Sequence, residues 1–390
     1  MSKTRKLDIS IIAKKYDKAN KFITSKLELE FDGTDMNHII VNTLRRVSFD
    51  DIPIYAFAYI NIEHNNSVFN NDMMKIRLNQ LPIYNIDTDM YFLHPTYWEI
   101  VDYDNKNRLK HEKEIAIEGI INVYNNNKDE IMDVTTDNMA YYINNEKQER
   151  YPCVNEPILI IQLKPNETFK CQMKGCLGLG ERNNIWSAAA QAYYDYEDDK
   201  PNKINFTLES CGQMTEHTIL IKACKLIKMK LNGIKQEIKN RVNAKEILQS
   251  QSIIFELVKE DHTIGNLINN AVQDHKDIIF SGLSKPDHLV KAIVFKIESI
   301  NENLSPVKPF FESIDYLITV FDEIERQINI IKKKHNISDA FDNNKNISDI
   351  NELDMLENPE NKEIKEIKEI KEIKEDNKSK KTVIVKGKKN

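Results

Sequence analysis

The sequence predicts an α+β chain in which one cycle of strand, short helix, strands and long helix occurs twice, the first copy interrupted by a mostly β segment. Three observations lead there. Two decapeptides match each other at a distance, NHIIVNTLRR at 37–46 and DHTIGNLINN at 261–270. Each places an Asn two residues after an Ile and follows it with Leu or Ile (Ile40, Asn42, Leu44; Ile264, Asn266, Ile268). Two long apolar stripes at helical spacing each close a cycle. Residues 84–202 carry short strand-like pieces among Asn-rich turns instead.

The elements follow in order. Over 20–32, Leu27, Leu29 and Phe31 alternate with Lys26, Glu28 and Glu30, the pattern of a half-buried strand. Gly33-Thr34-Asp35 breaks it, and Thr34 or Asp35 is placed to cap a helix. Met36, Ile39, Ile40, Leu44 and Val47 form one apolar stripe. Arg45 and Arg46 close this helix, where cations suit the dipole. The apolar run 54–62 follows Pro53, and 114–123 and 158–163 are strand-like pieces of the β segment. INFTLES at 204–210 is a strand, and 216–248 a long amphipathic helix with Ile219, Ala223, Leu226, Ile227, Leu231, Ile234, Ile238 and Val242 on one face. In the second cycle SIIFELV at 252–258 is a strand. Asp261 or Thr263 caps a helix facing inward through Ile264, Leu267, Ile268, Ala271 and Val272. Residues 288–300 alternate as a strand. A second long helix runs from beyond Pro306 to about Lys334, with Ile314, Leu317, Ile318, Phe321, Ile324, Ile328 and Ile331 in register.

From 336 the pattern dissolves into polar and acidic sequence, then IKEIKEIKEIKE. Isoleucines three apart drift around a helix of 3.6 residues per turn and make no lasting face. A disordered, charged tail is expected, and its basic end KSKKTVIVKGKKN is either a solvated terminus, a nucleic-acid contact or an address.

Composition narrows the function. The chain has 390 residues, 41% hydrophobic and 30% charged, with a net charge of −6. Its length suggests two or three folded units. The acidic balance argues against a dedicated nucleic-acid binder. No N-terminal apolar segment and no run of roughly 18 apolar residues is present, so an intracellular protein with no membrane partner is expected. The five cysteines, Cys153, Cys171, Cys176, Cys211 and Cys224, form no CxxC pair, and Cys171 with Cys176 supplies two ligands where zinc needs four. Neither metal nor cofactor is expected.

Few motifs carry chemistry. In KGCLGLGERNN, 174–184, Gly178-Leu179-Gly180 lacks the third Gly of a dinucleotide loop, Asn183 standing there, so a turn in a β-rich segment is the better reading. His38 and His262 begin the two related helices and read as capping or packing residues. No nucleophile-elbow, HExxH or phosphate-loop pattern occurs. Arg45 and Arg46 are either a helix-end charge pair or a partner contact.

At this point a family resemblance enters. Residues 37–83, with LRR, the following IP, NSV and RLNQLPI in order, resemble the α-like subunits of cellular RNA polymerases: bacterial α, the archaeal D subunit and the third-largest eukaryotic subunit. Residues 155–194 and 205–227 resemble that family's Gly–Trp stretch and its closing strand and helix. KEDHTIGN and the residues to 300 resemble the small partner, the archaeal L type. The resemblance implies both partners fused head to tail, as in large DNA viruses of eukaryotes. It implies two copies of the dimerisation fold: 1–83 with 203–250, interrupted by the insert 84–202, then 251–335, then the tail 336–390. Joining them through the short linker 243–251 makes pairing intramolecular at an effective concentration on the order of mM; pairing within one chain and exchange between two both stay open.

The implied function is a noncatalytic assembly platform of a DNA-directed RNA polymerase, without cofactor. Its partners are the largest and second-largest subunits and other polymerase subunits, with DNA reached only through the complex. Expected large-subunit contacts are Arg45, Arg46, Gly178, Gly180 and Trp186. Expected dimerisation residues are Ile40, Asn42, Leu44, Leu226, Ile234, Ile264, Asn266, Ile268, Leu317 and Phe321. The implied location is the virion and cytoplasmic virus factory for a virus, the nucleus for a cell. The chain lacks the cysteine cluster that many third-largest subunits carry in the insert and lacks bacterial α's DNA-binding domain; 126–151 matches poorly. A scaffold outside transcription and an enzyme with a site in 84–202 are the alternatives.

Overall fold

The computed structural model describes residues 7–18, 25–84, 86, 88–98, 101, 111–152, 156–241, 251–301 and 305–337. The tail from 338, the linker 242–250 with Val242, and Cys153 lie outside the described residues. Strands β1 (Ser10–Asp17) and β2 (Lys26–Asp32) precede helix α1 (His38–Asp50), β3 (Ile54–Asn65) and α2 (Asn71–Asn79). Then come α3 (Pro95–Trp98), β4 (Ile117–Tyr124), β5 (Met132–Thr135), β6 (Met139–Ile143), β7 (Glu146–Lys147), β8 (Leu159–Leu163) and β9 (Thr168–Gly178). β10 (Ala189–Tyr196) and β11 (Ile204–Ser210) lead to α4 (Glu216–Arg241). The second cycle is β12 (Ser252–Val258), α5 (His262–Gln273), β13 (Ile278–Ser284), β14 (Ala292–Ser299) and α6 (Val307–Lys334).

The described residues 89–98, 101 and 111–112 fall in a unit by themselves. In it Tyr91, Phe92, Tyr97 and His111 form a ring cluster, and the Trp98 Nε1 donates to Phe92 O at 2.7 Å. The other described residues belong to the other unit.

There the four antiparallel strands β1-β2-β11-β10 form one sheet, with Leu27, Leu29 and Phe31 of β2 buried as their alternation predicts. A second sheet runs β3-β9-β4-β6-β7, a pair joins β5 to β8, and the second cycle has its own sheet, β12-β14-β13. The sheets cut across the sequence divisions at 83/84 and 202/203. β3 pairs with β9 of the β segment, and β10 of that segment completes the first sheet. β1 and β13 are additions to the sequence reading. Each has a register shift, between Ala13 and Lys15 and between Ile278 and Phe280, which spoils a clean alternation.

Two local readings are corrected. The cap of α1 is Asn37, whose side chain accepts from Ile40 N at 3.0 Å, not Thr34 or Asp35. Asp35 is held instead by Asp8 N at 2.8 Å and by the Tyr316 hydroxyl at 2.9 Å. Nor do Arg45 and Arg46 end α1. The buried stripe continues through Val47 and Ser48, and the helix closes at Asp50, with Asp51 N donating to Val47 O. Asp261 caps α5 as expected, accepting from Thr263 N at 2.8 Å.

The two cycles pair within the chain. α1 lies across α5 and α4 lies along α6. Their contacts run in opposite senses: Asn37 meets Asn270 and Arg46 meets Asp261, while His217 meets His335 and Lys235 meets Asp315. Both helix pairs are therefore antiparallel.

Candidate functional site

The matching decapeptides are matching positions of one crossing. Ile40 and Ile264 each stand three residues beyond their cap, Asn37 and Asp261. The residue nine beyond each cap reaches the other helix's cap. Asn37 Nδ2 donates to Asn270 Oδ1 at 2.9 Å, and Arg46 Nη2 lies 3.5 Å from Asp261 Oδ2. Thr43 Oγ1 adds a long contact to Thr263 O at 3.4 Å. This reciprocity is that of a two-fold interface, made here by two unlike halves of one chain.

Of the residues expected at the pairing interface, Ile40, Leu44, Leu226, Ile234, Ile264, Ile268, Leu317 and Phe321 are all buried. Asn42 is half-buried and accepts from Arg45 Nε at 3.0 Å, a local bond one turn along. Asn266 is a correction: it is exposed on the outer face of α5. Two residues beyond Ile264, it points some 200° round the helix from the buried face. Sequence reasoning missed Asn37 and Asn270, which make the amide contact. The available signal was the position of Asn37 immediately before the apolar stripe.

At the C-terminal end of α1 the Gly–Trp loop closes over the helix. Glu181 N donates to Asp50 O at 2.9 Å and Ser187 Oγ to Phe49 O at 3.2 Å. Both glycines are there because no side chain fits: a Cβ on Gly178 would lie 2.3 Å from the Trp186 ring, and one on Gly180 2.5 Å from Phe49 O. Trp186 is buried, and its indole N–H donates to Cys176 O at 2.9 Å. It therefore shapes the loop from inside, and it offers no open ring face; Arg45 and Arg46, each partly exposed, do present charge.

Charges from both halves meet beneath this surface. Lys230 of α4 sits 3.1 Å from Asp51 and 3.7 Å from Glu260, which precedes α5. Burial works against its ammonium, but Asp51 and Glu260 outweigh it and hold the pKa above the ordinary lysine range. Burial raises Glu260, helped by the nearby Asp51 and Asp261 carboxylates, despite Lys230 and Lys291. Burial opposes ionisation of Asp261 too, yet the Thr263 N–H and hydroxyl and then Arg46 bring its carboxyl below the usual range. Asp50 is raised by burial and by Asp51. Lys291, after the β13–β14 loop, reaches Glu181 of the Gly–Trp loop at 2.6 Å.

The arrangement is a polar rim joined across the two halves. Among the described residues no group of three or more His, Cys, Asp or Glu could hold a metal ion, and no helix is long and apolar enough to cross a membrane. Cys171 and Cys224 are core residues whose thiols burial pushes up, Cys171 to about 12.

Comparison with known proteins gives two matches to one family, described as the RNA polymerase Rpb3/Rpb11 dimerisation domain, over residues 30–231 and again over 252–327. The chain is 28% identical over 323 residues to a putative DNA-directed RNA polymerase subunit of Acanthamoeba polyphaga mimivirus, covering 77% of this chain and 89% of that protein. It is 35% identical over 89 residues to the RNA polymerase II subunit rpb11 of Dictyostelium discoideum, covering 23% of this chain and 73% of that one. It is 26% identical over 204 residues to the RNA polymerases I and III subunit rpac1 of the same organism, covering 50% of this chain and 58% of that one.

Proposed function

The chain belongs to the RNA polymerase Rpb3/Rpb11 dimerisation family, with two such domains in one polypeptide, and from that premise we propose that it is the noncatalytic assembly platform of a multisubunit DNA-directed RNA polymerase. The observation that carries this reading is that the apolar faces of α4 and α6 already cover each other within the chain. Around α1 and the Gly–Trp loop lies a polar rim, suited to docking larger proteins onto a preassembled pair.

On this reading the chain is a first dimerisation domain into which the segment 84–202 is woven, since β3 pairs with β9 and β10 completes the first sheet, followed by a second such domain over 251–335. The largest and second-largest subunits dock on the chain and carry out nucleotide addition, and DNA is met only through the complex. Arg45 and Arg46, with the loop that Gly178, Gly180 and Trp186 shape, form the large-subunit contact. Similarity to the mimivirus protein along most of both chains supports a viral source, and with it a place in the virus factory and virion.

The test is a tagged pull-down of the native protein with the stoichiometry of what accompanies it. Two very large subunits at one copy each, with template-dependent RNA synthesis in the eluate, are expected. Arg45→Ala is expected to lower their recovery while leaving the chain's own melt unchanged. Equal recovery with the variant would remove Arg45 from the contact. Recovery with unrelated proteins would move the chain to a scaffold outside transcription.

A further inference from the structure

The ion pairs between the two long helices share one polarity. Lys228 of α4 lies 2.6 Å from Asp322 and 2.8 Å from Glu325 of α6. Lys225 approaches Glu325 at 3.9 Å, and Lys235 bonds Asp315. In each the cation is on α4 and the carboxylate on α6. The sequence is segregated in the same way. Residues 217–236 of α4 hold Lys222, Lys225, Lys228, Lys230 and Lys235 and no acid; residues 309–325 of α6 hold Glu312, Asp315, Asp322, Glu323 and Glu325 and no base. Lys222 turns inward to Thr88 and Lys230 to Asp51 and Glu260, leaving three lysines for α6.

We propose that this segregation is a pairing code: it selects the unlike half as partner and rejects a second copy of the same half. The family fold is shared by both halves and the crossing has two-fold reciprocity, so like-with-like pairing is the competing assembly. An α4–α4 pair would set a face bearing only lysines against another, and an α6–α6 pair would oppose two acidic faces. Like charges brought together at a contact are penalised, whereas a single exposed ion pair adds little. The code therefore acts mainly by exclusion. The α1–α5 crossing carries the same asymmetry. The unlike pairing joins Arg46 to Asp261 and Asn37 to Asn270; either like pairing would leave the arginine or the aspartate facing an amide.

The test uses three full-length variants. The first carries K225E, K228E and K235E, so both long helices are acidic along the contact. The second carries D315K, D322K and E325K, so both are basic. The third carries all six changes. The first and second are expected to melt below wild type, and the third to return most of the loss. Differently tagged copies of the first and second, coexpressed, are expected to copurify one to one, each acidic helix taking a basic helix from the other chain. Two tagged copies of the first alone, or of the second alone, are expected not to. Near 1 M salt, where the screening length falls to about 3 Å, the gap between the single-face variants and the six-fold variant should narrow. The proposal fails if the first and second variants melt with wild type, if the six-fold variant is no more stable than either, or if the mixed pair copurifies no better than like pairs. None of these readouts depends on the polymerase, so the outcome is separable from that of the docking test.

Discussion

Replacing Lys230 by Met should be among the most damaging single changes at the junction of the two halves. The side chain is 13% exposed, with Asp51 at 3.1 Å and Glu260 at 3.7 Å, themselves 19% and 14% exposed. Met keeps most of the packing volume and removes the charge, stranding two buried carboxylates. Breaking a buried ion pair from one side costs about 3–5 kcal/mol. At roughly 2 °C per kcal/mol, the lower conversion for domains of this order, the melting midpoint should fall by roughly 6–10 °C. Adding Glu260→Gln to Lys230→Met removes one stranded charge and should recover a large part of the loss. The pH response has a definite sign. Without Lys230 the folded-state pKa of Glu260, already raised by burial, rises further, so the folded variant binds more protons than its unfolded chain near neutrality. Its stability should then increase as pH falls from 7 toward 5, more steeply than that of wild type. Scanning calorimetry on the three proteins at three pH values reads all of this. A Lys230→Met midpoint within a degree or two of wild type, or a double variant no better than the single, would refute the idea that this cation holds the junction together.

Other outcomes follow from the same geometry. Leu317 of α6 is 2% exposed, so Leu317→Asp should abolish the cooperative melt by burying an unpaired charge, while Leu317→Ala should cost about 2–5 kcal/mol in urea unfolding; a normal melt for the Asp variant would contradict the helix pairing. Gly178→Ala should displace the Trp186 ring and shift its fluorescence, measured with Trp98→Phe to leave one tryptophan, at a cost of about 1–3 kcal/mol; an unchanged spectrum would show that the loop yields elsewhere. Burial and then Lys18 hold His335 below the ordinary histidine value, where its ring stacks on Tyr16 and its Nδ1 faces His217 Nε2 at 3.0 Å. Its unfolded form therefore takes up a proton first, and stability should drop as pH falls through about 6.5. His335→Phe should flatten that drop, and an identical pH profile would assign it to another group.

The sequence carried the helices further than it carried their ends. The stripes of α4 and α6 were legible because burial on one face repeats at helical spacing over seven turns or so. The end of α1 was not, because what stops it is tertiary: the Gly–Trp loop donating to Asp50 and Phe49 carbonyls from more than a hundred residues away. The cap was misplaced for a similar reason, Asp35 being claimed by Asp8 and Tyr316. Of the candidate contacts, Arg45 and Arg46 could be singled out as charges near an apolar stripe. That Trp186 faces inward and Asn266 outward depends on what lies opposite each. The opposed charges of α4 and α6 stand openly in the sequence, but they acquire meaning only once the two helices are known to be neighbours.

The grip of α6 on β1 sets an order of events during synthesis. Gln327 accepts from Ile11 N and donates to Ile9 O, both at 2.8 Å, across more than three hundred residues of chain. A ribosome adding about 5–20 residues per second reaches the end of α6 some 5–20 seconds after completing α4. Through that interval the apolar face of α4 has no mate and the outer edge of the first sheet is unclasped. A strand that precedes α6 by some three hundred residues is thus among the last to be secured, and the newborn chain spends its most vulnerable seconds as half of a pair whose other half is still being translated.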